Sequence, residues 1–242
     1  MTYCVAMLLD DGLVFGADTR TNAGVDQIAS VRKLSVFGWP GERVVMLLSS
    51  GNLAITQAAV TLLTEWLDGE DEECSLYKAR TMFRVARIVG RAVRAVHAED
   101  AEHLRQHNTD FSASLIVGGQ IRGEPPRLFS VYAAGNFIEA SAMTPYFQSG
   151  EVKYGKPILD RILTPQLGLG AAAKLALISF DSTLRSNISV GPPIDLACYR
   201  RDSFAVPDPV RIAEDDAYFQ AVRRVWNDGL IRVFAGIDDP AF

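Results

Sequence analysis

The chain opens Thr2-Tyr3-Cys4-Val5-Ala6-Met7-Leu8-Leu9-Asp10-Asp11-Gly12-Leu13-Val14-Phe15-Gly16-Ala17-Asp18-Thr19-Arg20. Two apolar runs flank Asp10-Asp11-Gly12, and an Asp-Gly step between β-prone runs predicts a hairpin. No other feature restricts the fold as strongly. The first strand starts at the chain terminus, and the second must return beside it. Asp18, at the far end of the second strand, is thereby carried back towards Thr2. Lys33 then opens the next apolar run. Removal of Met1 would leave Thr2 with a hydroxyl next to a free α-amine. A hydroxyl is a weak nucleophile until a base takes its proton, and an N-terminal amine can be that base. α-Amino groups have a reference pKa of about 7.7–8.0, suited to accepting a proton near neutral pH. A nucleophile, a cation and an anion are therefore expected to converge at one strand end. Taken singly, Thr2 is an ordinary residue after Met, Asp18 a turn cap and Lys33 a surface lysine.

Downstream, the pattern predicts a polar loop over Thr21 to Ser30 with Gly24, and a strand over Lys33 to Phe37. A turn at Gly38 to Gly41 and a buried strand over Val44 to Leu48 follow. Ser49-Ser50-Gly51 punctuates that strand before a helix over Asn52 to Leu67, with Ile55, Ala59, Leu62 and Trp66 on its buried face. Asp68 to Glu73 reads as an exposed acidic linker. A long helix is expected over Leu76 to about Gln106. Its apolar stripe is Met82, Ala86, Val89, Val93 and Val96, and its arginine stripe is Arg80, Arg84, Arg87, Arg91 and Arg94. That arginine stripe is a solvated face or a contact with a neighbour or an acidic ligand. Strands are expected over Ala113 to Ile121, Arg127 to Ala133, Phe137 to Ala140, Ile194 to Tyr199 and Phe204 to Val206. Helices are expected over Leu169 to Arg185 and Asp215 to about Asn227. Runs of strands alternating with pairs of helices point to a layered α+β domain, not to a βαβ repeat.

One domain over residues 1–242 is expected, because 48% apolar and 22% charged residues suit a single core of this size. A net charge of −5 disfavours a generic polyanion-binding role, and the aromatic interleaving of a single-strand-binding surface is missing. No nucleic-acid partner is expected. Three scattered cysteines, Cys4, Cys74 and Cys198, argue for a reducing compartment and against a disulfide framework or a zinc site. His103 and His107, near Glu99 and Glu102, are better explained as a polar helix end than as metal ligands. No cofactor is expected. The start of the chain lacks the basic region of a signal peptide, and no apolar run is long enough to span a bilayer. A cytoplasmic protein with no membrane partner is the expectation.

Thr2, the run Asp11 to Arg20 and Lys33 resemble the opening of proteasome β-type subunits and HslV, which are N-terminal-nucleophile hydrolases. Further segments resemble one bacterial branch, Anbu, the ancestral β-subunit. These are Thr2 to Met7, Thr21 to Asp26, Lys153 to Arg161 and Asp181 to Asn187, spread across most of the chain. The resemblance implies the four-layer αββα sandwich of that hydrolase class. It also implies a threonine peptidase acting on peptide or protein substrate. Thr2 would be the nucleophile, with Lys33 and Asp18 tuning it. Gly51, at the bend before the helix, would supply the backbone N–H that holds the oxyanion. The serine of Ser149-Gly150 and the aspartate of an Asp-x-x-Ser segment, here Asp181, would complete the network. The third position after Asp181 is Leu184, so the pattern departs from the family's; Ser186, or else Ser182, would take the serine's place. The resemblance further implies self-association into a ring or an open helical assembly. An ATPase, if one assists, would be a separate chain, since no phosphate-binding loop is present. Lys33→Ala is expected to abolish turnover and leave folding largely intact. An amidase of the same fold acting on small amides, or a scaffold with vestigial residues, are the rival functions.

Overall fold

The computed structural model describes residues 2–22, 28–67, 69, 71, 73–107 and 111–242. The opening hairpin is β1 (Tyr3–Leu9) and β2 (Gly12–Asp18), antiparallel, with Leu9 opposite Gly12 and Cys4 opposite Ala17. A short ribbon follows, β3 (Arg20–Asn22) paired with β4 (Ile28–Ser30), where a loop was expected. Residues 23–27, including Gly24 and part of the Thr21 to Asp26 segment, lie outside the described residues, as do Met1, Asp68, Glu70 and Glu72. Next come β5 (Leu34–Trp39), β6 (Arg43–Gly51), α1 (Leu53–Glu65) and α2 (Met82–Gln106). Then follow β7 (Ala113–Ile121), β8 (Arg127–Val131), β9 (Phe137–Glu139), β10 (Tyr146–Gly150), α3 (Lys156–Ile162) and α4 (Leu169–Ser186). The chain closes with β11 (Ile194–Arg200), β12 (Val210–Ile212) and α5 (Ala217–Ala235).

Two five-stranded antiparallel sheets result, in the orders β10-β1-β2-β11-β12 and β5-β6-β7-β8-β9. Strand alternation sorts their side chains. Tyr3, Val5 and Met7 of β1 pack with Leu175, Ala176 and Phe180 of α4. Cys4 and Ala6 of the same strand pack with Val44, Met46 and Leu48 of β6, in the other sheet. The intervening β6 residues Val45 and Leu47 pack with α1 and α2. Each sheet therefore meets helices on one face and residues of the other sheet on the opposite face. The fold is mixed α+β, with antiparallel sheets and five helices among the described residues. None of those helices is long and apolar enough to cross a membrane.

Differences from the sequence reading have local causes. The long helix starts at Met82, not at Leu76. The buried Arg43 guanidinium donates to the carbonyls of Leu76 (3.1 Å) and Ala79 (2.7 Å), which a longer helix would need for itself. Thr81 then caps the helix by accepting from the Arg84 N–H, and Glu124 accepts from the Met82 N–H at 2.8 Å. The expected strand over Phe204 to Val206 is irregular, and Val210–Ile212 pairs with β11 in its place. β10 and α3 carry too little apolar periodicity to read from sequence. Part of the acidic segment is engaged within the chain: Arg91 pairs with Glu73 at 2.8 Å and with Asp71 at 3.6 Å.

Candidate active site

Asp18 ends β2 with no exposure to solvent. Its Oδ1 accepts from the Tyr3 N–H at 3.0 Å and from Lys33 Nζ at 2.7 Å, and its Oδ2 accepts from the Gly191 N–H at 3.2 Å. Lys33, also buried, donates a second bond to the Arg20 carbonyl at 2.6 Å. Burial pushes the Asp18 carboxyl up, while the Lys33 ammonium and the two backbone N–H groups pull it back. Next to them the Cys4 thiol, fully buried, is pushed up to about 12 by burial.

Thr2 is half-buried and held by its neighbours on both sides. Its carbonyl accepts from the Glu151 N–H at 2.7 Å, and the next residue's N–H is the one on Asp18. Gly150 has φ of 84° and packs so closely that a Cβ there would sit 1.9 Å from the Thr2 carbonyl oxygen. Only glycine fits that step. Ser149, opposite Cys4 in the β1–β10 ladder, has its hydroxyl 2.5 Å from that of Ser50 on β6. This contact ties the two sheets together beside the terminus. Gly51 follows at the end of β6 with φ of 110°, where a Cβ would lie 2.3 Å from the Ser112 carbonyl oxygen.

Asp181 and Ser186 have other surroundings. Asp181 is buried on α4, where its Oδ1 accepts from Arg223 of α5 at 2.7 Å and its Oδ2 from Arg185 at 3.1 Å. Ser186 is exposed at the end of that helix. No hydrogen bond or ion pair among the described residues joins either of them to Thr2, Asp18, Lys33 or Ser149. The loop after α4 reaches the site through other residues. Asn187 Nδ2 donates to the buried carboxylate of Glu151 at 2.9 Å, and Gly191 binds Asp18. Sequence reading missed Ser50, Glu151, Asn187 and Gly191. The last two were within sight, in the polar stretch directly after the helix that carries Asp181. Among the described residues no group of three or more His, Cys, Asp and Glu side chains is gathered to hold a metal.

No protein-family model and no curated protein matches the chain. Solved structures do. A mutant of Anbu from Hyphomicrobium sp. strain MC1 is 53% identical over 100% of both chains, with a TM-score of 0.94. Anbu (ancestral beta-subunit) from Yersinia bercovieri is 49% identical over 99% of both, with a TM-score of 0.92. The Anbu complex from Pseudomonas aeruginosa, solved as a helical assembly, is 49% identical over 99% of this chain and 98% of that one, with a TM-score of 0.94. Identity at this level along the whole length goes beyond a shared architecture, and the chain belongs to the Anbu (ancestral beta-subunit) family.

Proposed function

We propose that the chain is an N-terminal threonine peptidase, one αββα-layered domain over residues 1–242, that hydrolyses peptide bonds within an assembly of its own copies. Its main support is the buried Asp18–Lys33 pair, bound at 3.0 Å to the backbone N–H of the residue that follows Thr2. A lysine ammonium held dry and oriented beside a hydroxyl and an amine lowers the pKa of both. Thr2 Oγ1 attacks the substrate carbonyl, and its proton passes to the Thr2 α-amine freed by loss of Met1. The resulting oxyanion is held by the Gly51 N–H. Strand alternation supports that role. The Ser49 N–H goes to the Lys33 carbonyl on the β5 side, while the Asn52 N–H goes to Ser112 on the β7 side. Gly51 then directs its N–H as Ser49 does, beyond the first residue of β5. The amine hands its proton to the leaving nitrogen, leaving an ester on Thr2. Water, deprotonated by the same amine, releases the acid. Ser149 steadies the terminus through Ser50, and Asp181 and Ser186 stay outside the reacting group.

The three apolar clusters, one between the sheets, one under α1 and α2 and one under α3, α4 and α5, support the four-layer sandwich. Self-association is supported by the helical assembly solved for the Pseudomonas aeruginosa complex. It is also supported by the apolar residues that α5 exposes, Val225, Leu230, Val233 and Phe234 among them. Three unpaired cysteines suit the cytoplasm. An ATPase, where one assists, is a separate chain.

The test pairs intact mass with the rate on a fluorogenic peptide and with labelling by a threonine-directed electrophile. Activity and labelling should follow the fraction of chains that begin at Thr2. Thr2→Ser should retain some activity and Thr2→Ala none. Full activity in a preparation that retains Met1 would overturn the mechanism. Labelling of Thr2 without peptide turnover would favour an amidase of small substrates.

A further inference from the structure

Glu151 is a buried carboxylate, 6% exposed, that the reaction above does not use. It directly follows β10, next to Thr2. The β1–β10 register ends with Tyr3 opposite Gly150, and the Glu151 N–H then donates to the Thr2 carbonyl. In an antiparallel ladder a residue's N–H and C=O leave by the same edge, so the Thr2 nitrogen points, like its carbonyl, to the β10 side where Glu151 begins. Cys4 and Ala6, which share the parity of Thr2, face the other sheet. Ser149, opposite Cys4, meets Ser50 there. By that alternation Thr2 presents its side chain towards the serine pair.

The partners of this carboxylate are weak for its burial. Oε2 accepts from Asn187 Nδ2 at 2.9 Å, and Oε1 has Lys153 Nζ at 3.9 Å, on a side chain that is 71% exposed. A buried carboxylate is costly unless it is paired and hydrogen-bonded. One neutral amide and a solvent-facing lysine do not make a buried ion pair. Asn187 itself is firmly held: its N–H donates to Thr183 at 2.9 Å, and its Oδ1 accepts from the Ser189 N–H at 2.9 Å. The loop continues to Gly191, which binds Asp18. One loop therefore supports two buried carboxylates, and Lys33 occupies only Asp18.

We propose that Glu151, oriented by Asn187, is a positioning residue that anchors the Thr2 α-ammonium and offsets the charge of Lys33. This rests on Thr2 being the first residue, as in the proposed function. The charged and titratable groups around it are Lys33 and Asp18, paired with each other, Arg20 on β3, Cys4 on β1 and Lys153 beyond β10. Lys33 disfavours the protonated amine, and Glu151 favours it. The amine must gain a proton in the first step and lose it in the second, so the two opposed charges keep both forms accessible.

The experiment uses Glu151→Gln, which keeps the side-chain length and an acceptor for Asn187 while removing the charge. Protein whose intact mass begins at Thr2 is trace-acetylated across a pH series. Mass spectrometry of the N-terminal peptide then gives the titration of the α-amine. The amine should titrate lower in Glu151→Gln by about one pH unit or more, and lower to a smaller extent in Asn187→Ala. In active preparations the acidic limb of kcat/KM should move with it. An unmoved titration would overturn the proposal even if the variant unfolds more easily, because a purely structural staple predicts that result. The acetylation readout does not need turnover, so failure of the peptidase reading and failure of this proposal are told apart.

Discussion

Asp18 and Asp181 are a matched pair of carboxylates, 0% and 2% exposed, each met by cations. Their partners differ. Lys33 is itself 5% exposed and, among the described residues, binds Asp18 and one backbone carbonyl. Arg185 and Arg223 are 51% and 28% exposed, so their charges reach water whatever Asp181 does. The first pair is a closed system in which each charge depends on the other. The second is a clamp that fastens α5 and the last turn of α4 to one buried acceptor. A buried acid and a buried counter-ion fix each other's charge, whereas a buried acid met by solvent-facing arginines fastens the elements that carry them.

The comparison is broken most directly at Lys33. Lys33→Ala leaves Asp18 buried with two backbone N–H donors and no counter-ion, and loss of one partner of a buried pair costs about 3–5 kcal/mol. That is a large part of ordinary domain stability. The sequence reading, in which turnover is lost and folding largely kept, is therefore revised to loss of both. Urea unfolding checks it, and a wild-type midpoint would show that Asp18 is not dependent on Lys33. Asp18→Asn with Lys33→Met should recover much of the stability and none of the turnover. A smaller loss is expected for Gly51→Ala. Strain at positive φ costs about 1–2 kcal/mol, and the new Cβ would press on the Ser112 carbonyl. Its unfolding free energy and peptide turnover should both fall. Asp181→Asn should cost less, about 1 kcal/mol, because its arginines turn to solvent. Its turnover, measured on the fluorogenic peptide, should match wild type; loss of turnover at full stability would return Asp181 to the catalytic group. The smallest effect is on Cys4. With its thiol at about 12 and no exposure, it should resist alkylation at pH near 8 while Cys198, on the surface, reacts. Lys33→Ala should open Cys4 to reagent, and Asp181→Asn should not.

The local part of the site was legible in the sequence. Asp10-Asp11-Gly12 announces the hairpin, and the hairpin returns Asp18 to the terminus within 16 residues of Thr2. The apolar run after Lys33 and the bend at Gly51 read from the same short-range signals. Asp181 was read through the family resemblance as part of the site network and not as a fastener, because Arg223 lies 42 residues further on. Glu151 was not legible at all. Its partner Asn187 is 36 residues away, and the β10 strand before it is too short and polar to show a period.

By itself the sequence determined what depends on neighbouring residues: turn chemistry, strand alternation, helix stripes, and a threonine, a lysine and an aspartate close to one strand end. Only the tertiary structure decided which charges are shut away together. Burial of a charge depends on what every layer of the fold packs over it. Arg43 ends the reach of α2, α5 claims Asp181, and the loop after α4 delivers Asn187 and Gly191 to two different carboxylates. These assignments are set by distances in space between segments far apart in the chain, and the strength of each interaction is set by the water that the packed core excludes.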